Sequence, residues 1–323
     1  MHVLLPKIDI PYQVNTNQKK YTSELVLLIK TNNALDFVTW MDWHLHYVGV
    51  DHISIYDNES EIAIPRMIKQ YGPHVSYYKV EGCPHQAEIY TNHVRNVSEA
   101  QYCLPIDDDE FIYSEVNFNE YLKAIEPAKL ALHSILMVPH KPIAKRHNKP
   151  VFEICDSLVQ QDIRENREVK TVVNTNYSHF YFDVKKYVDT HPSPVYDGLP
   201  DWIDMPMTED KQLDKDRGTD FNFSLAGTVH NPITMTEDGQ QIWAQDMHMN
   251  PVYGFLSSHP NVPSEIFIAH TKVRSHEEWE WKCKVRKVVA DMNCDYYDSQ
   301  YELYDNIYTY PMAKFTGFRE RYK

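Results

Sequence analysis

Between Leu25 and Phe111 four short apolar runs alternate with three stretches of helical periodicity, and the last run ends in four consecutive carboxylates. Leu25–Ile29 is unbroken apolar sequence, as expected of a strand covered on both faces. From Ala34 to Val48 apolar residues recur at helical spacing, and Gly49 is placed to stop that helix. His52–Tyr56 reads as a second strand, 62–71 as a helix closed by Gly72-Pro73, Val75–Val80 as a third strand and 85–100 as a third helix. The fourth strand, around Tyr102–Ile106, delivers the acids. Such alternation predicts an α/β fold with a doubly wound, mostly parallel, Rossmann-like sheet. Ligands of these sheets collect at the carboxyl ends of the strands, where Asp57 and Asp107 both fall.

The acidic run, Asp107-Asp108-Asp109-Glu110, lies between Ile106 and Phe111, so the chain enters and leaves it through apolar sequence. Adjacent carboxylates repel one another and resist burial unless a positive group sits among them. A divalent cation is the economical partner, and hard oxygen ligands suit Mg²⁺ or Mn²⁺. If the segment is extended, Asp107 and Asp109 point to one side and Asp108 to the other. A solvated acidic turn after a strand is the alternative.

A net charge of −14 opposes binding to a nucleic-acid backbone but leaves room for a nucleotide bound through a metal. The five cysteines are odd in number and scattered without a CxxC pair, a reduced, intracellular pattern that argues against a disulfide frame or a zinc site. Met1–Leu5 is too short for a leader, and no apolar run approaches membrane-spanning length. These features lead to the expectation of a cytoplasmic protein whose contact with any lipid-linked substrate is peripheral.

Residues 1–22 read as an N-terminal arm, 23–192 as the nucleotide-binding core, and 193–323 as a loop-rich insertion with a C-terminal helical part on the acceptor side. Within the core a short helix is expected at 119–125, strands at 131–138, 169–173 and 177–188, and a basic Pro-rich loop at 139–150. The charged segment 157–170 reads as a helix or a connection, and 275–292 as a helix with one apolar face.

Trp40, Trp43 and His44, then Gly49-Val50-Asp51-His52, Ile55-Tyr56-Asp57-Asn58 with Ser60, Gln86 with Tyr90, and Ile106–Phe111 follow one another in a recognisable order. The pattern resembles the metal-dependent glycosyltransferases of the GT-A fold, nearest the family 2-like and family 92 groups. Lys170–Val173, His191-Pro192, and Ile268–His270 with Ser275, Glu277, Glu278 and Lys282 resemble later boxes of the same group. Thr31-Asn32-Asn33 departs from the Lys-Asn-Glu usual in the first box.

The resemblance implies transfer of a sugar, with inversion, from a nucleotide-diphosphate sugar (a UDP-sugar is expected) to a glycan, glycoconjugate or other hydroxyl acceptor, with Mn²⁺ or Mg²⁺ as cofactor. It implies Asp107, Asp109 and His191 at the metal, and His270 as the alternative histidine, placed otherwise with Asp57, Asn32, Asp107, Asp108 and Lys170 around the nucleotide-sugar. Asp57 has a turn-capping role as its alternative, and Glu110 is expected to support neighbouring backbone or acceptor contacts. The general base is expected some tens of residues after the acids, where Glu153 and Asp156 stand, with Asp156 preferred over the Thr-Glu-Asp triplets at 208–210 and 236–238. The competing readings are a non-catalytic nucleotide-sugar or glycan-binding module and another metal-dependent nucleotide-phosphate enzyme, although the latter would usually show a Gly-rich basic first loop.

Overall fold

The computed structural model describes residues 19–82, 86–139, 143–159, 166, 168–176, 179–181, 231–235, 241–242, 244–249, 251–252, 264–272, 274–282 and 309–311. Residues 1–18 of the expected arm, most of the 193–323 segment and His191 lie outside these residues, whereas Tyr21 and Thr22, expected in the arm, begin the first strand.

Four parallel strands form the first half of the sheet, in the order β3 (Val75–Lys79), β2 (His52–Asp57), β1 (Tyr21–Ile29), β4 (Ala100–Pro105). Their register sets Ile29 beside Asp57, and Val26 beside Pro105, so the loops after β1, β2 and β4 open on one rim. Beyond β4 the sheet becomes mixed. β8 (Val169–Asn174) runs antiparallel to β4 and to β6 (Lys129–Pro139). β6 is eleven residues long and acts as a hub. Its first half pairs with β8, its middle with β14 (Ile266–His270) and its end with β7 (Cys155–Val159). β5 (Glu110–Ser114) pairs only with β14 among the described strands, bringing Glu110 opposite His270. Short strands complete the set: β12 (Ala244–Gln245) and β13 (Pro251–Val252) extend the β6 edge, and β15 (Thr309–Pro311) lies on β7. β9 (His179–Tyr181), β10 (Ile233–Met235) and β11 (Gln241–Ile242) form a separate antiparallel sheet. Strands from beyond residue 192 thus complete the sheet begun by the core. The charged segment after Cys155 starts as strand β7 rather than helix, because Cys155, Ser157, Leu158 and Val159 are buried where the strand pairs with β6.

α1 (Ala34–Asp42) begins where the Asn33 side chain accepts the Asp36 N–H, and it continues as a wider π-helical segment, Trp43–Val48. Gly49 ends it in the left-handed region at φ 79°, as its position in the sequence predicts. α2 (Ile64–Met67) is one turn with Pro65 in it, running on as a 3-10 segment. α3 (Gln86–Asn92) also passes into a π-helical segment, His93–Val97, and α4 (Phe118–Ile125) is capped by Asn117. α5 (Val151–Ile154) is a single turn, and α6 (His276–Trp281) is capped by Ser275. No helix among the described residues is long and apolar enough to cross a membrane.

Leu25, Leu27, Trp40, Trp43, Ile53, Ile55, Phe111 and Phe267 anchor the main core on the α1 face of the sheet. Trp43 stacks with Tyr47 and meets Phe111 edge-on. At about 25 cal/mol per Å² of apolar surface, each fully buried aromatic there contributes a few kcal/mol, which makes α1 a firm platform for the acidic turn it contacts.

Candidate active site

The acids do not lie in an extended segment. Residues 107–109 form a turn between β4 and β5, closed by the Glu110 N–H donating to the Asp107 carbonyl at 3.1 Å. The same-side expectation for Asp107 and Asp109 therefore fails: a turn replaces period-two alternation, and the two carboxylates reach different partners. Asp107 Oδ2 accepts from Lys170 Nζ at 2.7 Å, and Oδ1 from Gln86 Nε2 at 3.1 Å. Asp109 Oδ2 accepts from Lys282 Nζ at 2.5 Å, while Oδ1 stands 3.5 Å from His270 Nε2.

α1 holds this turn by its backbone. Trp40 Nε1–H donates to the carbonyls of Glu110 (2.8 Å) and Asp107 (3.2 Å), and Trp43 Nε1–H to that of Ile112 (2.7 Å). His44 Nε2 accepts the Ile112 N–H, so its proton sits on Nδ1, which donates to the Trp40 carbonyl at 2.9 Å. Complete burial pushes the His44 pKa down to about 3, keeping it neutral for this double role. Trp40, Trp43 and His44, quoted above for their spacing, are thus the supports of the acidic turn.

Glu110 is 1% exposed and takes the expected supporting role: its Oε2 accepts the Asp107 N–H at 3.0 Å. Burial pushes its pKa up to about 7 against the opposing pull of Lys170. Lys170 stands 3.1 Å from Glu110 but nearer Asp107, which takes the larger share of its charge. Burial alone would lower the Lys170 pKa, yet Asp107 and Glu110 together hold it above the ordinary value. Burial likewise opposes ionisation of Asp109, but Lys282, His270 and Arg274 keep it well below the usual carboxylate range. In return Asp109 raises the His270 pKa against the effect of burial.

A buried ion cluster missed by sequence reasoning backs the turn. Asp36 Oδ2 accepts from Arg146 at 2.8 Å and from Arg274, and Arg146 also lies 3.3 Å from Glu278. Arg274 donates through its other nitrogens to the Asp108 carbonyl (3.1 Å) and to Thr271 (3.2 Å). The Asp109 carbonyl accepts both the N–H and the hydroxyl of Thr271. The available signal was Asp36 itself, an acid in the first turn of a helix on its core-facing side.

Asp57, at the end of β2, uses both oxygens within the chain: Oδ1 accepts the Ser60 N–H (2.9 Å) and Oδ2 the Tyr77 hydroxyl (2.8 Å). Ser60 in turn accepts the Thr31 N–H, tying the first box to the second, while Asn32 is exposed beside it. Glu153 and Asp156 line a pocket of about 290 Å³ with Ile143, Lys145, Arg146 and Lys149. Arg146 is shared between that pocket and the Asp36 cluster, so two ion pairs and the Arg274 hydrogen bond to Asp108 link the pocket to the acidic turn.

The Asp109–His270 pair fits a divalent cation. A carboxylate oxygen and an imidazole nitrogen face each other at 3.5 Å without a hydrogen bond, and His270 Nδ1 is buried with no hydrogen-bond partner. Hard oxygen plus one imidazole suits Mn²⁺ or Mg²⁺. Asp107, held by Lys170 and Gln86, stands one step back.

No protein-family model matches the chain, and no curated protein matches it in sequence. Among solved structures it resembles GalNAc-T7 with UDP, GalNAc and Mn²⁺ at 10% identity and TM-score 0.31, over 38% of this chain and 24% of that one. It resembles 4-diphosphocytidyl-2C-methyl-D-erythritol synthase from Anaerococcus prevotii at 12% identity and TM-score 0.31, over 62% and 84% of the two chains. TarS 1–349 of S. aureus overlaps 48% of this chain and 47% of its own, at 10% identity and TM-score 0.27.

Proposed function

We propose that this protein is a metal-dependent glycosyltransferase that moves a sugar from a nucleotide-diphosphate sugar, by preference a UDP-sugar, to a hydroxyl acceptor with inversion. The observation that carries the reading is the Asp109–His270 pair, a two-ligand cation seat on the rim where the strand ends open. A divalent ion held there would offset the charge that develops on the departing diphosphate.

The chain's own groups fit the remaining tasks. Asp107, oriented by Lys170 and Gln86, faces the ribose or the cation's water, and Lys282 is placed to move from Asp109 onto a phosphate oxygen. Asp57 and the adjoining Asn32 flank the expected position of the base, one strand over from Asp107 across β1. Asp156, in the pocket beside Arg146, is the candidate base for the acceptor hydroxyl, with Glu153 as its neighbour. His270 takes the part first expected of His191, which lies outside the described residues.

Nucleotide-sugar turnover assayed with and without Mn²⁺, reading the released nucleotide, tests the reading. Transfer or hydrolysis releasing a nucleoside diphosphate supports it. Release of pyrophosphate instead identifies a nucleotidyltransferase, and metal-dependent nucleotide binding without turnover identifies a binding module.

A further inference from the structure

On the opposite end of the parallel strands a second group of ligand-type side chains is buried. Glu24 of β1 is the register partner of Cys103 on β4 and of His52 on β2, so all three stand at one level of the sheet. His93, from the π-helical segment after α3, closes over them: its Nε2 lies 3.1 Å from Glu24 Oε1. Glu24, His93 and Cys103 are 2%, 1% and 0% exposed, and their ligand atoms all lie within 4.8 Å of one another. Among the described residues no other group of three such side chains is so close.

The hydrogen bonding around the group is unusual. His93 Nε2 is buried and makes no hydrogen bond despite its closeness to the carboxylate. Its other nitrogen, Nδ1, is engaged with the Tyr56 hydroxyl at 2.9 Å, and His52 Nε2 with the Ser76 hydroxyl at 3.1 Å. An imidazole fixed at its far nitrogen, as His93 is by Tyr56, with its near nitrogen left facing a carboxylate and a thiol, is the arrangement seen around metal ligands. Ser54 and Ser98 donate to the two Glu24 oxygens, at 2.6 and 2.5 Å, as outer partners of a ligating carboxylate do.

We propose that Glu24, His93 and Cys103 form a second cation site, structural and distinct from the rim, that takes a Zn²⁺-class ion. One thiolate, one imidazole and one carboxylate are a zinc donor set, while His52 Nδ1 is hydrogen-bonded to Glu24 Oε1 at 3.0 Å beside it. On binding, the Cys103 thiol gives up its proton to solvent and the thiolate takes its place on the metal. The ion would join β1, β4 and the segment that continues α3. β4 leads into the turn that holds Asp107, and α3, which that segment continues, carries the Gln86 that orients it, so the site would brace the acidic turn from beneath the sheet.

Zinc content and zinc K-edge X-ray absorption of the full chain, purified after zinc-supplemented expression and dialysed against chelator, test the proposal. About one ion per chain is expected, with a single sulfur near 2.3 Å and nitrogen or oxygen near 2.0–2.2 Å. Asp109→Asn should keep that ion, and Cys103→Ser should reduce it about tenfold or more. A zinc-free protein, an absorption spectrum lacking sulfur, or an ion lost with Asp109→Asn but kept in Cys103→Ser would each overturn it. The absorption measurement uses the unaltered chain, so a Cys103→Ser protein that misfolds does not rescue or sink the idea.

Discussion

His270 Nε2 faces Asp109 Oδ1 across 3.5 Å because β14 pairs with β5 in a register that sets His270 opposite Glu110. Lys282 meanwhile holds the other Asp109 oxygen. In the metal-free chain Asp109 is therefore an anion among cationic neighbours, and removing its charge takes the carboxylate from Lys282 and His270 rather than relieving repulsion. Asp109→Asn should abolish metal-dependent nucleotide binding and also lower stability, by a figure approaching the roughly 3–5 kcal/mol typical of a broken buried pair. His270→Ala should raise the manganese concentration for half-maximal activity severalfold. Calorimetric melting and metal titration read the two effects separately. A His270→Ala protein with unchanged manganese dependence would return the role to His191.

Asp57 poses a sharper choice, since it caps the turn before Ser60 and anchors Tyr77. Asp57→Ala removes both bonds and should cost about 1–2 kcal/mol through the turn. If Asp57 also reads the nucleotide, its affinity falls in Asp57→Ala while Tyr77→Phe, which removes one bond only, leaves affinity unchanged. Equal losses in both variants, measured by nucleotide titration, would mean that Asp57 acts through the turn alone.

How much of this was legible depended on the range of the interactions. The parallel half of the sheet could be read because Leu25–Ile29 and His52–Tyr56 are apolar runs whose burial needs no partner to be named, and Gly49 announces the end of its helix locally. Trp40, Trp43, His44, Gln86 and Glu110 were picked out by pattern, and the structure supplies their physical reason. The Asp36–Arg146–Arg274 cluster could not be assembled from sequence because its members come from three distant stretches, and Asp36 on its core-facing side gives no hint of which arginines meet it. Glu24 was hidden similarly: a single acid at the head of an apolar strand gives no hint of His93 and Cys103. The turn at Asp107–Asp109 was misjudged as extended because the Trp40 indole and the Glu110 carboxylate that bend it lie outside any local pattern.

Lys129 offers a pH test remote from the site. It begins β6, is 3% exposed, and donates to the Pro232 carbonyl, while burial pushes its pKa down to about 7 from 10.5. Between those two values the unfolded chain binds a proton that the folded chain does not, so stability should rise as pH increases from 7 towards 10. Below 7 both states carry the proton and the penalty is fully present. Lys129→Met, which keeps the length of the side chain, should flatten that slope. Chemical denaturation across the pH range reads it directly, and parallel slopes in the two proteins would show that Lys129 is charged and satisfied at neutral pH.

The last test separates Asp156 from Glu153. Both line the pocket beside Arg146, and the Asp36 cluster connects that pocket to the acidic turn. Asp156 follows the end of α5 at the start of β7, where Pro139 of β6 pairs with Cys155, and its Oδ1 accepts the Ser157 hydroxyl at 3.1 Å. A carboxylate hydrogen-bonded at a sheet end is fixed in direction, as a base for an acceptor hydroxyl needs to be. Glu153, in the single turn of α5, has a longer side chain and is exposed. Asp156→Asn should lower the transfer rate by about 10²–10⁴-fold, the usual contribution of a general base, with donor and manganese affinity unchanged. Glu153→Gln should weaken acceptor binding several-fold with a smaller effect on rate. Single-turnover transfer at saturating acceptor distinguishes them, and a full loss in Glu153→Gln with an active Asp156→Asn would exchange the two roles.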